Sequence, residues 1–141
     1  MPTSTRFAVS VHALVLLARR DGGPVRSDEI AADVGTNPAV IRALLSRLSA
    51  AGLTSSLRGN GGGAVLAREA SQIRLLDVYL AVEDREIFSF HSTSPDDGEA
   101  IGRDVATSLA KPLLQARLAM EHHLAAVSIQ CIVDDMESDR G

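Results

Sequence analysis

The sequence predicts a mainly α-helical protein in which a winged helix-turn-helix domain with a two-stranded β wing is followed by a long C-terminal dimerisation helix. Three observations carry that expectation. Two short amphipathic stretches, 27–34 and 38–51, are joined through Gly35, Thr36 and Asn37, as in two helices linked by a tight glycine-containing turn. Two short strand-like runs, 53–57 and 64–67, then flank Arg58-Gly59-Asn60-Gly61-Gly62-Gly63, the pattern of a β-hairpin with a glycine-rich tip. From 99 to about 127 apolar residues recur at gaps of three and four, which marks one continuous helical stripe.

Each element has its own signals. Ser4 and Thr5 are helix-start residues, and Phe7, Val11, Leu14, Leu17 and Ala18 fall on one helical face before the turn cluster Asp21-Gly22-Gly23-Pro24. His12 lies near that face and reads as a core-edge residue rather than a ligand. Ser27 is suited to cap the next helix, with Asp28 and Glu29 in its first turn, Ile30, Ala31 and Val34 as its apolar stripe and Gly35 as its terminator. Asn37 can cap the following helix, with Pro38 at its first position, where a missing N–H is harmless. Val40, Ile41, Leu44, Leu45 and Leu48 form its expected buried face, and Gly52 closes it. A short helix is expected at 75–83, carrying Leu76, Val78, Tyr79 and Val82, and a polar, turn-rich loop at 89–98.

The long stripe consists of Ile101, Val105, Leu109, Leu113, Ala116, Met120, Leu124 and Val127. A helix of that length would span about 40 Å, too long to hide one stripe within so small a domain. The stripe is therefore expected to meet its copy in a second subunit. Pro112 should kink the helix near residues 110 and 111 or restart it there. Ser128 is placed to cap a last short helix. The expected division is a DNA-binding domain at 1–74, a dimerisation region at 75–137 and a tail at 138–141.

Composition excludes several function classes. With 141 residues the chain is one domain, or one domain with an oligomerisation arm. No run of 18 apolar residues exists, which argues against a membrane-spanning helix. The N-terminus lacks a basic-then-apolar leader, which points to the cytoplasm. One cysteine makes no internal disulfide and no multi-cysteine zinc or iron–sulfur site, so no metal and no cofactor are expected. Four aromatics and no Trp offer little for stacking on single-stranded nucleic acid. The net charge of −4 hides an asymmetry: residues 1–74 carry nine Arg against five acidic residues, a net of +4, while residues 75–141 carry five basic and thirteen acidic residues, a net of −8. A basic half beside an acidic half suggests a binding surface for a polyanion.

Ser4-Thr-Arg-Phe-Ala-Val, His12-Ala-Leu, Ile30-Ala, Asn37-Pro-Ala-Val-Ile-Arg, Leu48, Ala51-Gly-Leu, Arg58-Gly-Asn-Gly-Gly-Gly and Leu75-Leu-Asp-Val-Tyr-Leu-Ala-Val-Glu, in this order and at these spacings, resemble the Rrf2 family of bacterial transcription regulators. The resemblance is close over about residues 3–84 and looser along the long helix. It implies a homodimer of two winged-helix modules, with the second helix of each helix-turn-helix in the major groove and the wing tip in the minor groove. Many members hold an iron–sulfur cluster through three cysteines ahead of the long helix. Here the corresponding segment, 88–104, has no cysteine, and His91 is its one soft ligand. The chain thus resembles the cluster-free members of the family.

Candidate contacts to double-stranded DNA follow from both readings. Asn37, Pro38, Ala39, Arg42 and Ala43 lie at the start of the reading helix, where side chains reach base edges, and Arg42 has the bidentate geometry that pairs with guanine. Thr36 and Ser46 are candidate phosphate contacts, and Arg47 either touches the DNA backbone or pairs with an acidic neighbour. Arg58 suits a narrow minor groove, with Gly59, Asn60, Gly61 and Gly62 letting the backbone come close to phosphates. Cys131, among aliphatics, reads as a small buried hydrophobe, and His122 and His123 as surface residues. No catalytic set presents itself, and the glycine loop has neither P-loop nor dinucleotide-fold spacing. The expected function is that of a dimeric operator-binding regulator, more in keeping with a repressor, responding to an effector or partner protein of unidentified chemistry. The alternative is a winged-helix module that docks on a metabolic enzyme or another regulator.

Overall fold

The computed structural model describes residues 4–21, 23–84, 88 and 100–141. The expected loop at 89–98, with His91, lies outside the described residues. The described elements are α1 (Arg6–Arg19), α2 (Ser27–Val34), α3 (Pro38–Ala50), β1 (Thr54–Leu57), β2 (Gly63–Leu66), a 3-10 turn (Ala70–Gln72), α4 (Leu75–Val82), α5 (Ala100–Ala125) and α6 (Ile129–Ser138).

Helix α1 is apolar around much of its circumference, so it is buried on more than one side. Leu14 and Val15 join Leu44 and Leu48 of α3, Leu53, Ile73, Val78 and Val82 of α4, and Ile129 and Val133 of α6 in one apolar cluster. Ala13 and Leu17 join Val25, Ile30, Ala31, Ile41 and Ala64 in a second. The first cluster crosses the division expected at residues 74 and 75: α4 and α6 share a core with α1 and α3. Helix α6 is brought back by a bridge between Arg74 and Ser128, in which Leu75 N–H donates to the Val127 carbonyl (2.8 Å) and Ile129 N–H donates to that of Ile73 (2.8 Å).

The caps are local chemistry with two exceptions. Gly35 adopts the left-handed conformation (φ 86°) that ends α2. Asn37 Oδ1 accepts from Val40 N–H (3.1 Å) at the start of α3, directly before Pro38. Ser27, expected as a cap, is instead the first residue of α2, and Arg26 holds the cap position. The shift has a tertiary cause: Val25 is paired with Ala64 of the wing, so the chain is extended up to Arg26 and turns helical at once. At α1 neither expected start residue closes the helix alone. Glu83, just past α4, accepts at Oε1 from Phe7 N–H (3.1 Å) and Ser4 Oγ (2.7 Å), and at Oε2 from Arg6 Nη2 (3.3 Å). A carboxylate there meets both an orphan N–H and the positive end of the helix dipole.

The wing strands pair antiparallel from Thr54 with Leu66 to Leu57 with Gly63. Val25 forms a third, single-residue partner, with Val25 N–H donating to the Ala64 carbonyl (3.0 Å) and Ala64 N–H to that of Val25 (2.8 Å). Gly63 has φ 153°, and a Cβ there would lie 2.5 Å from the Val25 carbonyl oxygen. Helix α5 runs unbroken through Pro112, which removes one backbone hydrogen bond without dividing the helix.

The stripe on α5 is not uniformly available. Ile101 is 78% exposed, and Val105 and Leu109 are each 42% exposed. Ala116 is also exposed, but Leu113, Met120, Leu124 and Val127 are half-buried within the subunit, because α4 packs on α5. Leu114 and Leu118, one turn apart and off the expected stripe, are exposed instead.

Two predictions test this packing. Gly63→Ala should lower stability by about 1–3 kcal/mol, since it needs a strained φ and pushes on the Val25 carbonyl. Gly23→Ala, with open space around it, should stay within about 1 kcal/mol of the native chain; equal melting temperatures for the two variants would contradict the close approach. At the start of α4, Asp77 accepts from Arg74 N–H (2.9 Å) and from its guanidinium (3.0 Å). Partial burial pushes the Asp77 carboxyl up, but the Arg74 hydrogen bonds and the charges of Arg74 and Arg68 together hold it below the ordinary carboxylate range. A depressed folded value stabilises above the unfolded value and loses that contribution as pH falls through the folded one. Asp77→Asn should therefore cost about 0.5–2 kcal/mol at neutral pH, with the gap to the native chain closing in acid; melts that differ equally at both pH values would show that the charge plays no part.

Candidate nucleic-acid interface

Helix α3 buries Ile41, Leu44 and Leu48 and turns Ala39, Arg42, Ala43, Ser46, Arg47, Ser49 and Ala50 outward. Val40, expected on the buried face, is 40% exposed, because the core contact is confined to the narrower stripe of Ile41, Leu44 and Leu48. Most outward side chains are small, so the helix axis can come close to a flat or grooved partner, and Arg42 projects from among them. Thr36 and Pro38 are half-buried at the helix entrance, and Asn37 is exposed, its amide oxygen engaged in the cap and its NH2 group not used there. At the wing tip Arg58, Gly59, Asn60 and Gly61 are exposed. Gly59 (φ 95°) and Gly61 (φ 77°) take the left-handed turn, and a Cβ on Gly62 would collide with the Leu57 carbonyl oxygen.

Ion pairing sorts the arginines of residues 1–74. Arg6 pairs with Glu83, Arg20 with Glu29, Arg26 with Asp28, and Arg68 and Arg74 with Asp77. Arg19, Arg42 and Arg58 are exposed and take part in no ion pair among the described residues. Of these three, Arg42 and Arg58 sit on the elements that a winged helix presents to DNA. An exposed guanidinium with no internal partner keeps its donors for an external phosphate or base edge.

Arg47 is different. Its Nη1 donates to the carbonyl oxygen of Val82 (3.0 Å), at the C-terminal end of α4, so the second arginine of α3 is tied within the subunit by a helix-end carbonyl and not by the acidic neighbour expected from sequence. Ser27, Ser49, Ser56 and Arg26 were not singled out from sequence as contact residues, yet they surround Arg42. Two surface grooves share Ser27 and Arg42, one bordered by Arg26, Asp28, Pro38 and Gly63 and the other by Leu45, Ser46, Ser49 and Ser56. The only hint in sequence was the hydroxyl-rich run Thr54-Ser55-Ser56, whose place beside α3 depends on the register of the wing.

Other singled-out residues lie elsewhere. His12 is exposed, with Nε2 2.7 Å from Asp33 Oδ2, linking α1 and α2. His122 and His123 are exposed near the end of α5. Cys131, expected to be buried, is exposed, because α6 buries Ile129 and Val133 and places residue 131 on its outer side. Hydrogen bonding from Ser128, side chain and backbone, lowers its thiol pKa, with Ser128 Oγ 3.2 Å from Sγ. The residues present do not fit an iron–sulfur cluster held by three thiolates: Cys131 is the chain's one cysteine, and it lies in α6 rather than ahead of α5. Among the described residues no three His, Cys, Asp or Glu side chains come together as a metal site would require. No described helix is long and apolar enough to cross a membrane.

The Rrf2 family, described as an iron-dependent transcriptional regulator, matches residues 3–135. YwnA of Bacillus subtilis, named as an HTH-type transcriptional regulator, is 31% identical over 134 residues, which cover 94% of this chain and 98% of YwnA. The HTH-type transcriptional regulator IscR of Photorhabdus laumondii is 38% identical over 79 residues, 56% of this chain and 48% of that protein. The structure of T. potens IscR has a TM-score of 0.69 at 27% identity, covering 100% of this chain and 92% of that one. The family match runs through nearly the whole sequence and the fold agrees with it from end to end: the chain belongs to the Rrf2 family of transcriptional regulators.

Proposed function

We propose that this regulator is a homodimeric repressor that reads a pseudo-palindromic operator, each subunit laying α3 in the major groove and Arg58 in the adjacent minor groove. The observation that carries the reading is one of place and pairing together: Arg42 on α3 and Arg58 at the wing tip are exposed and without ion-pair partners among the described residues, whereas of the other two arginines in that condition Arg19 ends α1 and Arg47 is tied to the Val82 carbonyl, and five more arginines of the same half are paired. Arg42 reads a base edge, and Asn37, Pro38, Ala39 and Ala43 form the close-fitting surface around it. Thr36 and Ser46 hold phosphates, joined by Ser27, Ser49 and Ser56 from the grooves beside Arg42. Gly59, Asn60, Gly61 and Gly62 let the wing backbone follow the sugar–phosphate rim.

The dimer contact is proposed to begin on the outward part of α5, at Ile101, Val105 and Leu109, the stretch of the stripe that the subunit does not cover. Leu113, Ala116, Met120, Leu124 and Val127 continue it where the partner's helix crosses. An exposed apolar row of this kind on a long helix is normally an association surface.

Selection of genomic fragments with purified protein, followed by gel-shift titration, tests the DNA reading. Arg42→Ala should weaken the selected site by about 1–3 kcal/mol and relax preference at one position. Arg58→Ala should weaken binding with little change in base preference outside the wing contact. Affinity should fall steeply with salt as counterions are released; a flat salt response would contradict the assignment. Val105→Glu with Leu109→Glu should yield monomers by sedimentation and loss of two-half-site binding; a persistent dimer would move the contact elsewhere.

A further inference from the structure

The end of α4 is gripped from two sides. Val82, fully buried, offers its carbonyl to Arg47 of α3 (3.0 Å), and the next residue, Glu83, closes the N-terminus of α1. The last carbonyls of a helix have no partner within it and carry the negative end of its dipole, so a guanidinium is well matched there. Apolar packing of Leu44 and Leu48 against Val78 and Val82 also joins α3 to α4, but such packing is non-directional. A charge-assisted hydrogen bond has a required direction and length, so it sets how far α3 is rolled and slid relative to α4. Glu83 does the same for α4 relative to α1. Arg47, although it lies on the helix proposed to read DNA, is thereby committed to the helix that leads toward α5.

We infer that Arg47 is a positioning residue rather than a DNA contact: through the Val82 carbonyl it fixes the angle between the reading helix and the arm that joins the two subunits, and so sets which half-site spacing the dimer accepts. The inference rests on the dimeric DNA-binding reading above. It separates from a phosphate-contact role, which would lower affinity for every DNA and reduce the salt dependence by about one unit. It also separates from a merely structural role, which would lower the melting temperature and leave spacing preference unchanged.

The test uses the full-length protein and the operator obtained by selection, together with versions one base pair longer and shorter between half-sites. Native protein should prefer the selected spacing by about tenfold or more. Arg47→Met, which keeps the alkyl stem and loses the donors, should bring that preference to within about threefold, with the slope of log K against log salt unchanged. Arg47→Lys, which keeps a donor, should restore most of the preference. A salt slope reduced by about one unit with spacing preference intact would overturn the inference and make Arg47 a phosphate contact. A Met variant equal to native in every assay, or one that is unfolded at the assay temperature, would also overturn it. If native protein selects no sequence at all, the DNA-binding reading fails and takes this inference with it, an outcome distinct from the others.

Discussion

Leu14 and Val15 face one apolar cluster, and Ala13 and Leu17 face the other. Helix α1 thus stands between two cores, and every other element is placed by which of them it joins. On one side α2, α3 and the wing close over Ala13 and Leu17. On the other, α4 and α6 close over Leu14 and Val15, with α3 contributing to both. Because α1 is held on two sides, its polar end must also be dealt with inside the fold, and Glu83 does so from the far end of α4. The side chain of Glu83 is 13% exposed, so its bonds to Ser4, Arg6 and Phe7 are better shielded than those of a surface pair.

Charge is distributed with the same economy. The basic half of the chain is not a uniformly positive surface, since most of its arginines are neutralised by nearby carboxylates. Arg19, Arg42 and Arg58 have no such partner among the described residues, and of the three Arg42 and Arg58 stand at the two points where a winged helix meets DNA. Net charge is a statement about long-range attraction. Pairing decides which cations remain for a specific contact.

Within its family this chain departs at the metal. A family described as iron-dependent is represented here by a sequence with a single cysteine, on the outside of α6, whose Sγ accepts a hydrogen bond from the Ser128 hydroxyl. The winged-helix frame does not need the cluster to form: its two cores, its caps and the Val25–Ala64 bridge are made of ordinary aliphatic packing and backbone hydrogen bonds.

Helix positions, the Asn37 cap, the Gly35 terminator and the hairpin around Arg58 were legible in the amino-acid order, because each depends on neighbours within a few residues. Arg42 was legible for the same reason, since its place at the start of α3 is a local matter. The cap at Arg26, the burial of half the α5 stripe, the exposure of Val40 and Cys131, and the serines gathered around Arg42 were not. Each depends on a contact between residues far apart in sequence: Val25 with Ala64, α4 with α5, Ile129 with α1, β1 with α3. The clearest case is the pair of arginines on α3. Sequence placed Arg42 and Arg47 on one helix and left open whether Arg47 met the DNA backbone or an acidic neighbour. Only the tertiary structure, by bringing the Val82 carbonyl within 3.0 Å of Arg47, gave the second of them a partner inside the subunit, because an unsatisfied helix-end carbonyl is a strong acceptor wherever the fold delivers a donor to it.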